Sequence, residues 1–171
     1  MAKRLLVICT LLCLDLFVFV LIYESNVEDS VKASTTFYEN VIALTFDDGP
    51  HGTYTKELLE GLKKREVVAS FFILGEHIEG NEELLLQMKE DGHLIGNHTF
   101  SHVKLDELND QTACDEVRRT CEAIESITGE PVEYIRPPYG AYNEKLECMI
   151  NLNKVLWTID PQDWNTTNVD A

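Results

Sequence analysis

The sequence predicts an α/β domain built on a parallel sheet of about five strands. Short apolar runs alternate along the chain with longer segments in which apolar residues recur at helical spacing. Strands that are joined through crossover helices run parallel, so this alternation also sets the direction of the strands. In addition, unusual polar residues come directly after the predicted strands, which indicates a site at one edge of the sheet.

The predicted elements follow one another from residue 41. The first strand is an apolar run that ends in the turn sequence Asp47-Asp48-Gly49-Pro50. Helices are assigned where apolar residues share one face, and the longest of them stops at Gly129. The predicted strands are 41–46, 67–74, 94–96, 132–135 and 154–159, and the predicted helices are 55–64, 81–91, 109–128 and 143–152.

The composition excludes two classes of protein. Of the 171 residues, 44% are hydrophobic and 26% are charged, which is typical of a globular chain and not of a disordered or fibrous one. The 14 Lys and Arg residues stand against 30 Asp and Glu residues, for a formal net charge of -16. A surface this acidic repels phosphate backbones, so we expect no nucleic-acid partner.

Residues 1–23 have the character of an export segment. Lys3 and Arg4 precede an almost wholly apolar stretch, 5–23, that is long enough to span a bilayer. Its bulky second half favours an uncleaved signal anchor, and a cleaved signal peptide is the alternative. Either would place the remainder outside the cytoplasm, anchored to the membrane or secreted. Residues 24–40 are polar and are predicted to link this segment to a domain over 41–171.

Three cysteines lie in the predicted domain, in addition to Cys9 and Cys13 in the leader. They show neither CxxC spacing nor the pattern of a disulfide framework. Cys114 and Cys121 share a face of the predicted helix 109–128, and Cys148 follows later. We interpret these cysteines as packing residues, with a disulfide or a metal role as the alternative.

The polar residues that follow the strands form a candidate site. They are Asp47 and Asp48 after the first strand, His98 and His102 after the third, Arg136 and Tyr139 after the fourth, and Asp160 and Asp163 after the fifth. Because the carboxyl ends of parallel strands lie on one face of the sheet, we expect these side chains to converge.

Two histidines and a carboxylate are a common set of three metal ligands. His98 and His102 are four residues apart, which predicts that their imidazoles lie on one side of a helical turn. Of the neighbouring Asp47 and Asp48, one can bind a metal while the other takes a proton from water that the metal acidifies. Arg136 is the candidate for keeping that second carboxylate ionised and oriented. Neutral imidazoles suit a divalent ion such as zinc, and cobalt, nickel and iron are also compatible.

Four motifs stand in order between residue 41 and Trp164. They are Thr45-Phe46-Asp47-Asp48-Gly49-Pro50, His98-Thr99-Phe100-Ser101-His102, Arg136-Pro137-Pro138-Tyr139 and Asp160-Pro161-Gln162-Asp163-Trp164. Together they resemble the first four motifs of the polysaccharide deacetylase family, the NodB-homology enzymes grouped with the family 4 carbohydrate esterases. The resemblance implies a distorted (β/α) barrel. It also implies a metal-dependent hydrolase that releases acetate from an N-acetylated cell-envelope polysaccharide, peptidoglycan or a chitin-like polymer.

The resemblance further implies a role for each matching residue. Asp47 would be the general base, and Arg136 would orient it. The backbone N–H of Tyr139 would stabilise the oxyanion, and Asp160 would tune the catalytic histidine of the family. The implied metal ligands are Asp48, His98 and His102, and the implied substrate contacts are Pro138, Tyr139 and Trp164, with core packing as the alternative for Trp164.

The fifth motif of the family, Leu-x-x-His, supplies the general acid, and no histidine follows His102 in the 171 residues. Two interpretations stay open at this point. The sequence is either a fragment of an active deacetylase that lacks the last strands of the barrel, or a catalytically impaired protein that binds a glycan or a metal. A hydrolase of acetyl esters, such as acetylated xylan, is a further alternative with the same fold.

Overall fold

Five parallel strands form one sheet, and their order in space is their order in the chain. The computed structural model describes residues 41–143, 145–149 and 151–165, and the elements below are those of these ranges. The strands are β1 (Thr45–Gly49), β2 (Ser70–Ile73), β3 (Leu94–Asn97), β4 (Tyr134–Ile135) and β5 (Asn153–Lys154), and the helices are α1 (Tyr54–Lys64), α2 (Glu82–Glu90) and α3 (Asp110–Thr128). The predicted α/β alternation with a parallel sheet is confirmed.

The sheet is curled, as a side chain next to β4 demonstrates. In a flat sheet β4 would lie about 14 Å from β1, since neighbouring strands are about 4.8 Å apart. Arg136, directly after β4, nevertheless places Nη1 2.8 Å from Oγ1 of Thr45 in β1. Its Nη2 also donates to the carbonyl of Leu156, just beyond β5. The carboxyl ends of the strands therefore curve around Arg136, as consecutive strands of a (β/α) barrel do.

The main core lies between the helices and one face of the sheet. Phe71 and Ile73 of β2 point to that face, whereas Phe72 between them lies under the guanidinium of Arg136 on the other face. This follows the alternation of side chains along a strand. The buried helix residues that pack in this core are Leu59, Leu62, Leu84, Leu85, Met88 and Ile124.

Helix α3 begins and ends close to the predicted boundaries. The side chain of Asn109 accepts a hydrogen bond from the N–H of Thr112, which caps the first turn. Gly129 ends the helix with φ at 70°, a left-handed conformation that glycine adopts without a steric penalty. The helix therefore presents its residues in the register that the sequence indicates.

The interpretation of the cysteines as packing residues is wrong for two of them. Cys114 of α3 and Cys148 form a disulfide across a sequence separation of 34 residues. Cys121 alone is a free thiol among the described cysteines, and it is half-buried. The pairing was not evident because it depends on how the segment after β4 returns to α3, which the spacing of the cysteines does not encode.

Several predicted elements are shifted, shorter than expected or of another kind. β1 begins at Thr45 and includes Asp47 and Asp48, which the prediction placed after the strand, and β4 keeps only Tyr134 and Ile135 of the predicted 132–135. Residues 67–69 are not part of β2, because the N–H of Val67 bonds to Leu62 at the end of α1 and the N–H of Ala69 bonds to the ring of His93. The predicted strand 154–159 is reduced to β5, and the carbonyls of Val155 and Leu156 that follow it accept hydrogen bonds from Arg136. Within the described part of 143–152 there is only a 3-10 turn, Glu147–Met149.

Residues 1–40 lie outside the described ranges, and with them the predicted leader, the predicted linker, Cys9 and Cys13. Among the residues that are described, no helix combines the length and the apolar character needed to cross a bilayer.

Candidate active site

Asp48, His98 and His102 come together at the carboxyl ends of β1 and β3. Oδ1 of Asp48 lies 3.4 Å from Nε2 of His98 and 3.3 Å from Nε2 of His102. The side chain of His98 is 4% exposed and that of His102 is 30% exposed, whereas Asp48 is 61% exposed. The cluster is therefore anchored in the protein at His98 and open to solvent at Asp48.

The spacing of these atoms fits a divalent cation. Ligand atoms lie about 2.0–2.2 Å from zinc, so two ligands at a tetrahedral angle are about 3.4 Å apart. One ligand atom from each of the three residues lies within 4.8 Å of the others. Two imidazole nitrogens and one carboxylate oxygen also suit zinc, cobalt, nickel and iron by their chemistry. The three residues form a candidate metal site, as the sequence predicted.

The two histidines do not meet through a helical turn, so that part of the prediction is wrong. Residues 98–102 form an irregular segment in which Thr99 and His102 have positive φ, 67° and 54°. The imidazole rings are nevertheless neighbours, with centroids 5.2 Å apart. The spacing of four residues therefore brings the rings together by a different backbone path, which the motif alone does not reveal.

Hydrogen bonding orients His98 toward the cluster. Its Nδ1 lies 2.5 Å from the backbone carbonyl of Arg136, which makes Nδ1 the protonated nitrogen and leaves the lone pair of Nε2 toward Asp48. For His102, burial lowers the pKa of the imidazole, and the nearby Asp48 carboxylate opposes that effect. A lowered pKa favours the neutral form, which is the form that binds a metal.

Left-handed backbone is concentrated at this site. Among the described non-glycine residues with positive φ are Asp48 at 65°, Thr99 at 67°, His102 at 54° and Tyr139 at 59°. Such a conformation costs on the order of 1–3 kcal/mol for each residue and persists only where the surrounding structure holds it. The concentration at the cluster supports a functional site.

Asp47 is paired with a buried arginine. Oδ1 of Asp47 accepts a hydrogen bond of 2.8 Å from Nη1 of Arg136, whose side chain is only 4% exposed. The guanidinium also lies 4.3 Å from the ring of Phe72. Its other hydrogen-bond acceptors are Thr45 Oγ1 and the backbone carbonyls of Val155 and Leu156. With its nitrogens bound on several sides, Arg136 can hold the Asp47 carboxylate in one orientation.

The two adjacent carboxylates differ in proton affinity. Burial raises the pKa of Asp47, and the charges of His98 and Arg136 offset only part of that effect. Proximity to His98, whose Nε2 lies 3.4 Å away, lowers the pKa of Asp48, against a smaller opposing effect of burial. Asp47 is therefore the better proton acceptor of the two, and Asp48 is the better permanent anion.

Tyr139 borders the cluster on the side of His102. The two rings are 4.8 Å apart, and the Tyr139 side chain is exposed. No hydrogen bond joins the backbone N–H of Tyr139 to another described residue. Pro138 is buried in the same turn, so Tyr139 offers more surface to a substrate than Pro138 does.

The described residues of the cluster make no hydrogen bond or aromatic contact with Asp160 or Trp164. Trp164 is 75% exposed, and Asp160 accepts a hydrogen bond from the N–H of Gln162. The roles that the resemblance implies for these two residues stay predictions. Trp157 packs beside the turn that carries Tyr139, with its ring 3.5 Å from the position that a Cβ of Gly140 would take.

Sequence reasoning missed two further neighbours of the cluster, His77 and Trp157. Nδ1 of His77 lies 2.9 Å from the backbone carbonyl of Asp48, and Trp157 packs beside the turn that carries Tyr139. Both follow a strand, at the edge where function was expected. A search for histidines after strand ends would have singled out His77, whereas Trp157 lay inside the predicted strand 154–159 and would not have been found.

Comparison with known proteins assigns the fold and these motifs to one family. The family model described as polysaccharide deacetylase matches residues 34–154. The chain is 39% identical over 130 residues to the peptidoglycan-N-acetylmuramic acid deacetylase PdaC of Bacillus subtilis, a match that covers 76% of the chain and 28% of PdaC. It is 40% identical over 140 residues to a chitooligosaccharide deacetylase of Rhizobium leguminosarum bv. trifolii, covering 76% of the chain and 62% of that relative.

The solved structure of PdaC from Bacillus subtilis superposes with a TM-score of 0.70 and 40% identity, over 73% of this chain and 62% of that one. The chain therefore spans less than two thirds of the length of each of these relatives. The family model covers most of the chain, and the fold with its barrel-like curled sheet is shared with a family 4 carbohydrate esterase. The chain belongs to the polysaccharide deacetylase family.

Proposed function

We propose that this protein hydrolyses N-acetyl groups of a cell-envelope polysaccharide and releases acetate in a metal-dependent reaction. The observation that carries the proposal is a candidate metal site, Asp48 with His98 and His102, beside a separate carboxylate, Asp47, held by Arg136. Relatives named as deacetylases of peptidoglycan and chitooligosaccharides support an N-acetylated amino sugar as the substrate. We place peptidoglycan before a chitin-like polymer, because an enzyme held at the membrane needs its polymer nearby.

In this proposal Asp48, His98 and His102 hold a divalent ion, with zinc as the first choice and cobalt, nickel and iron as alternatives. When bound at such a site, the ion lowers the pKa of water and polarises the acetyl carbonyl. The chain contributes three ligands on one side only, and Asp48 is exposed, so the other side stays open to the glycan.

Asp47 acts as the general base. Its pKa is raised by burial, so its carboxylate accepts a proton from the attacking water more readily than an exposed aspartate would. Arg136 keeps the carboxylate aimed through the 2.8 Å hydrogen bond. The reaction balances within the site, because the proton that Asp47 accepts is the one that the departing amine requires. The amide C–N bond breaks as a C–O bond forms, the acetic acid gives its proton to the amine, and acetate and the ammonium form of the amino sugar leave.

The backbone N–H of Tyr139, next to His102, donates to the oxyanion that develops on the acetyl oxygen. A single donor of this kind contributes about 100- to 1,000-fold to the rate of acyl transfer. The exposed rings of Tyr139 and Trp157 supply flat surfaces against which a sugar ring can pack. From the family resemblance alone, we assign Asp160 to the tuning of a catalytic histidine and Trp164 to the wall around the acetyl group.

We further propose an extracytoplasmic location. The support is the sequence of residues 1–23, a basic start followed by an apolar stretch, which would anchor the protein in the membrane or export it. An epitope placed at the C-terminus and probed with protease on intact cells tests this location. Protection of the epitope from protease would contradict it.

Acetate release tests the proposed activity. The full chain, loaded with zinc or stripped with a chelator, is incubated with N-acetylglucosamine oligomers, peptidoglycan and acetylxylan. We expect acetate from an N-acetylated substrate, dependence on the metal, and loss of turnover in Asp47→Asn, while the exposed-site control Asp106→Asn behaves as the wild type. Metal binding without acetate from any substrate would favour a binding protein, and acetate from acetylxylan alone would favour an esterase.

A further inference from the structure

We propose that Glu116, on α3, is a positioning residue that holds segment 99–101 in the conformation in which His98 and His102 face Asp48. This inference rests on the metal site proposed above. It concerns a residue that lies outside the four motifs and that would touch neither the metal nor the substrate.

Side-chain oxygens accept all three backbone N–H groups between the two histidines. The N–H of Thr99 donates to Oδ1 of Asn97 at 2.7 Å. The N–H groups of Phe100 and Ser101 both donate to Oε2 of Glu116, at 3.1 and 2.8 Å. The hydroxyl of Ser101 adds contacts of 3.0 Å to both oxygens of the same carboxylate. Glu116 therefore holds the segment through a single charged group.

The segment needs such support because its backbone is unfavourable without it. Thr99 and His102 have positive φ, and neither is a glycine. Two of the N–H groups point away from the sheet toward α3, where no strand is available to pair with them. Hydrogen bonds to an ionised acceptor are about twice as strong as those between neutral groups, so a carboxylate suits this position.

Helix α3 is a rigid support for Glu116. Ala113 and Val117, which precede and follow Glu116 on α3, are almost fully buried. Asn97 at the end of β3 donates to the carbonyl of Val117 at 2.7 Å, which ties the helix to the strand that carries His98. Arg119, one turn further along, lies 3.5 Å over the ring of Phe100.

Two carbonyls of segment 99–101 are also bound, by the turn that follows β2. The N–H of Gly75 donates to the carbonyl of Thr99 at 3.0 Å, and the N–H of Glu76 donates to that of Phe100 at 2.9 Å. These bonds do not involve Glu116, so they keep the segment attached when its carboxylate is removed. Loss of Glu116 should therefore loosen the geometry of the histidines without unfolding the domain.

Cobalt titration of the full chain tests the proposal, since Co²⁺ reports both affinity and coordination through its visible absorption. We expect Glu116→Ala to bind Co²⁺ about 10- to 100-fold more weakly than the wild type, the range found when groups that orient metal ligands are removed. Glu116→Gln keeps one acceptor oxygen and should restore part of the affinity. The matched control is Glu122→Ala, because Glu122 lies on the same helix, is exposed and contacts only Arg118 among the described residues.

The outcomes separate the two proposals. A wild type that binds no Co²⁺ would overturn the metal site itself. Unchanged affinity and spectrum in Glu116→Ala, with a wild type that binds, would overturn only the role of Glu116. If Glu116→Ala fails to fold by circular dichroism, Glu116→Gln decides: weaker Co²⁺ binding than in Glu122→Ala supports the proposal, and equal binding overturns it.

Discussion

Replacing Arg136 by Met removes the donors that join β1, Asp47 and the segment after β5 while keeping a side chain of similar length. The methionine can still pack on the ring of Phe72, which lies 4.3 Å from the guanidinium. What is lost is the set of hydrogen bonds from the guanidinium, at 2.8–3.3 Å, to Asp47, Thr45, Val155 and Leu156. The variant therefore measures what the hydrogen bonds and the charge of Arg136 contribute to stability, with the packing on Phe72 kept.

The expected loss of stability is about 3 kcal/mol. Hydrogen bonds to a charged group contribute about 1.5–3 kcal/mol each, but they do not add when they share one group. Breaking a buried ion pair by removing one partner costs about 3–5 kcal/mol. We take the lower end of that range because the side chain of Asp47 is 31% exposed, and water can solvate part of its charge.

Urea denaturation at pH 7 in the presence of a chelator, followed by tryptophan fluorescence, measures this loss. A double-mutant cycle with Asp47→Asn isolates the pair, and we expect a coupling energy of about 1.5 kcal/mol. Arg118→Met is the matched control, because Arg118 is exposed and should cost no more than about 1 kcal/mol. Additivity of the two substitutions to within about 0.5 kcal/mol would refute the coupling of Arg136 to Asp47.

Further expectations concern the metal, the base and the disulfide. Asp48→Ala should weaken zinc binding at least about 100-fold, and equilibrium dialysis that finds full occupancy would contradict the ligand assignment. Asp47→Asn should keep zinc but lose about 100- to 10,000-fold in kcat, so near-normal acetate release would exclude it as the base. Replacing Cys114 and Cys148 by Ser should lower the free energy of unfolding by about 4 kcal/mol, because the disulfide closes a loop with a sequence separation of 34 residues. An unchanged urea midpoint would contradict this expectation. Zinc affinity should be constant above neutral pH and should fall about tenfold per pH unit once His102 takes up a proton. Because burial lowers the pKa of His102, this decline should begin below the ordinary histidine range. A decline that begins above that range would contradict the burial of His102.

The ends of β3 and β4 were predictable to within about one residue because two independent patterns agree there. Apolar runs mark the strands. Asp48 lies near the end of β1, and His98 and Arg136 follow directly after β3 and β4. Parallel strands bring such residues to one edge, so convergence follows from topology without knowledge of the detailed backbone. The candidate metal site and the pairing of Asp47 with Arg136 depend on little more than this.

Other features depend on long-range contacts that the local pattern does not contain. The disulfide joins Cys114 to Cys148 because the chain after β4 returns to α3. The fifth strand ends at Lys154, and the carbonyls of Val155 and Leu156 beyond it bind Arg136, a contact between distant residues that the apolar run 154–159 does not show. Glu116 was overlooked because a single glutamate beside an apolar stripe looks like an ordinary surface residue until segment 99–101 is placed against it.

X-ray absorption at the zinc edge of the full chain tests the central claim most directly. The account predicts one bound zinc ion per chain, with two imidazole nitrogens and a carboxylate oxygen at about 2.0–2.2 Å. In Asp48→Ala and His102→Ala the corresponding ligand should disappear, and with it most of the bound zinc. Sulfur ligands, or a spectrum that neither substitution changes, would place the ion elsewhere and contradict the active site described for this protein.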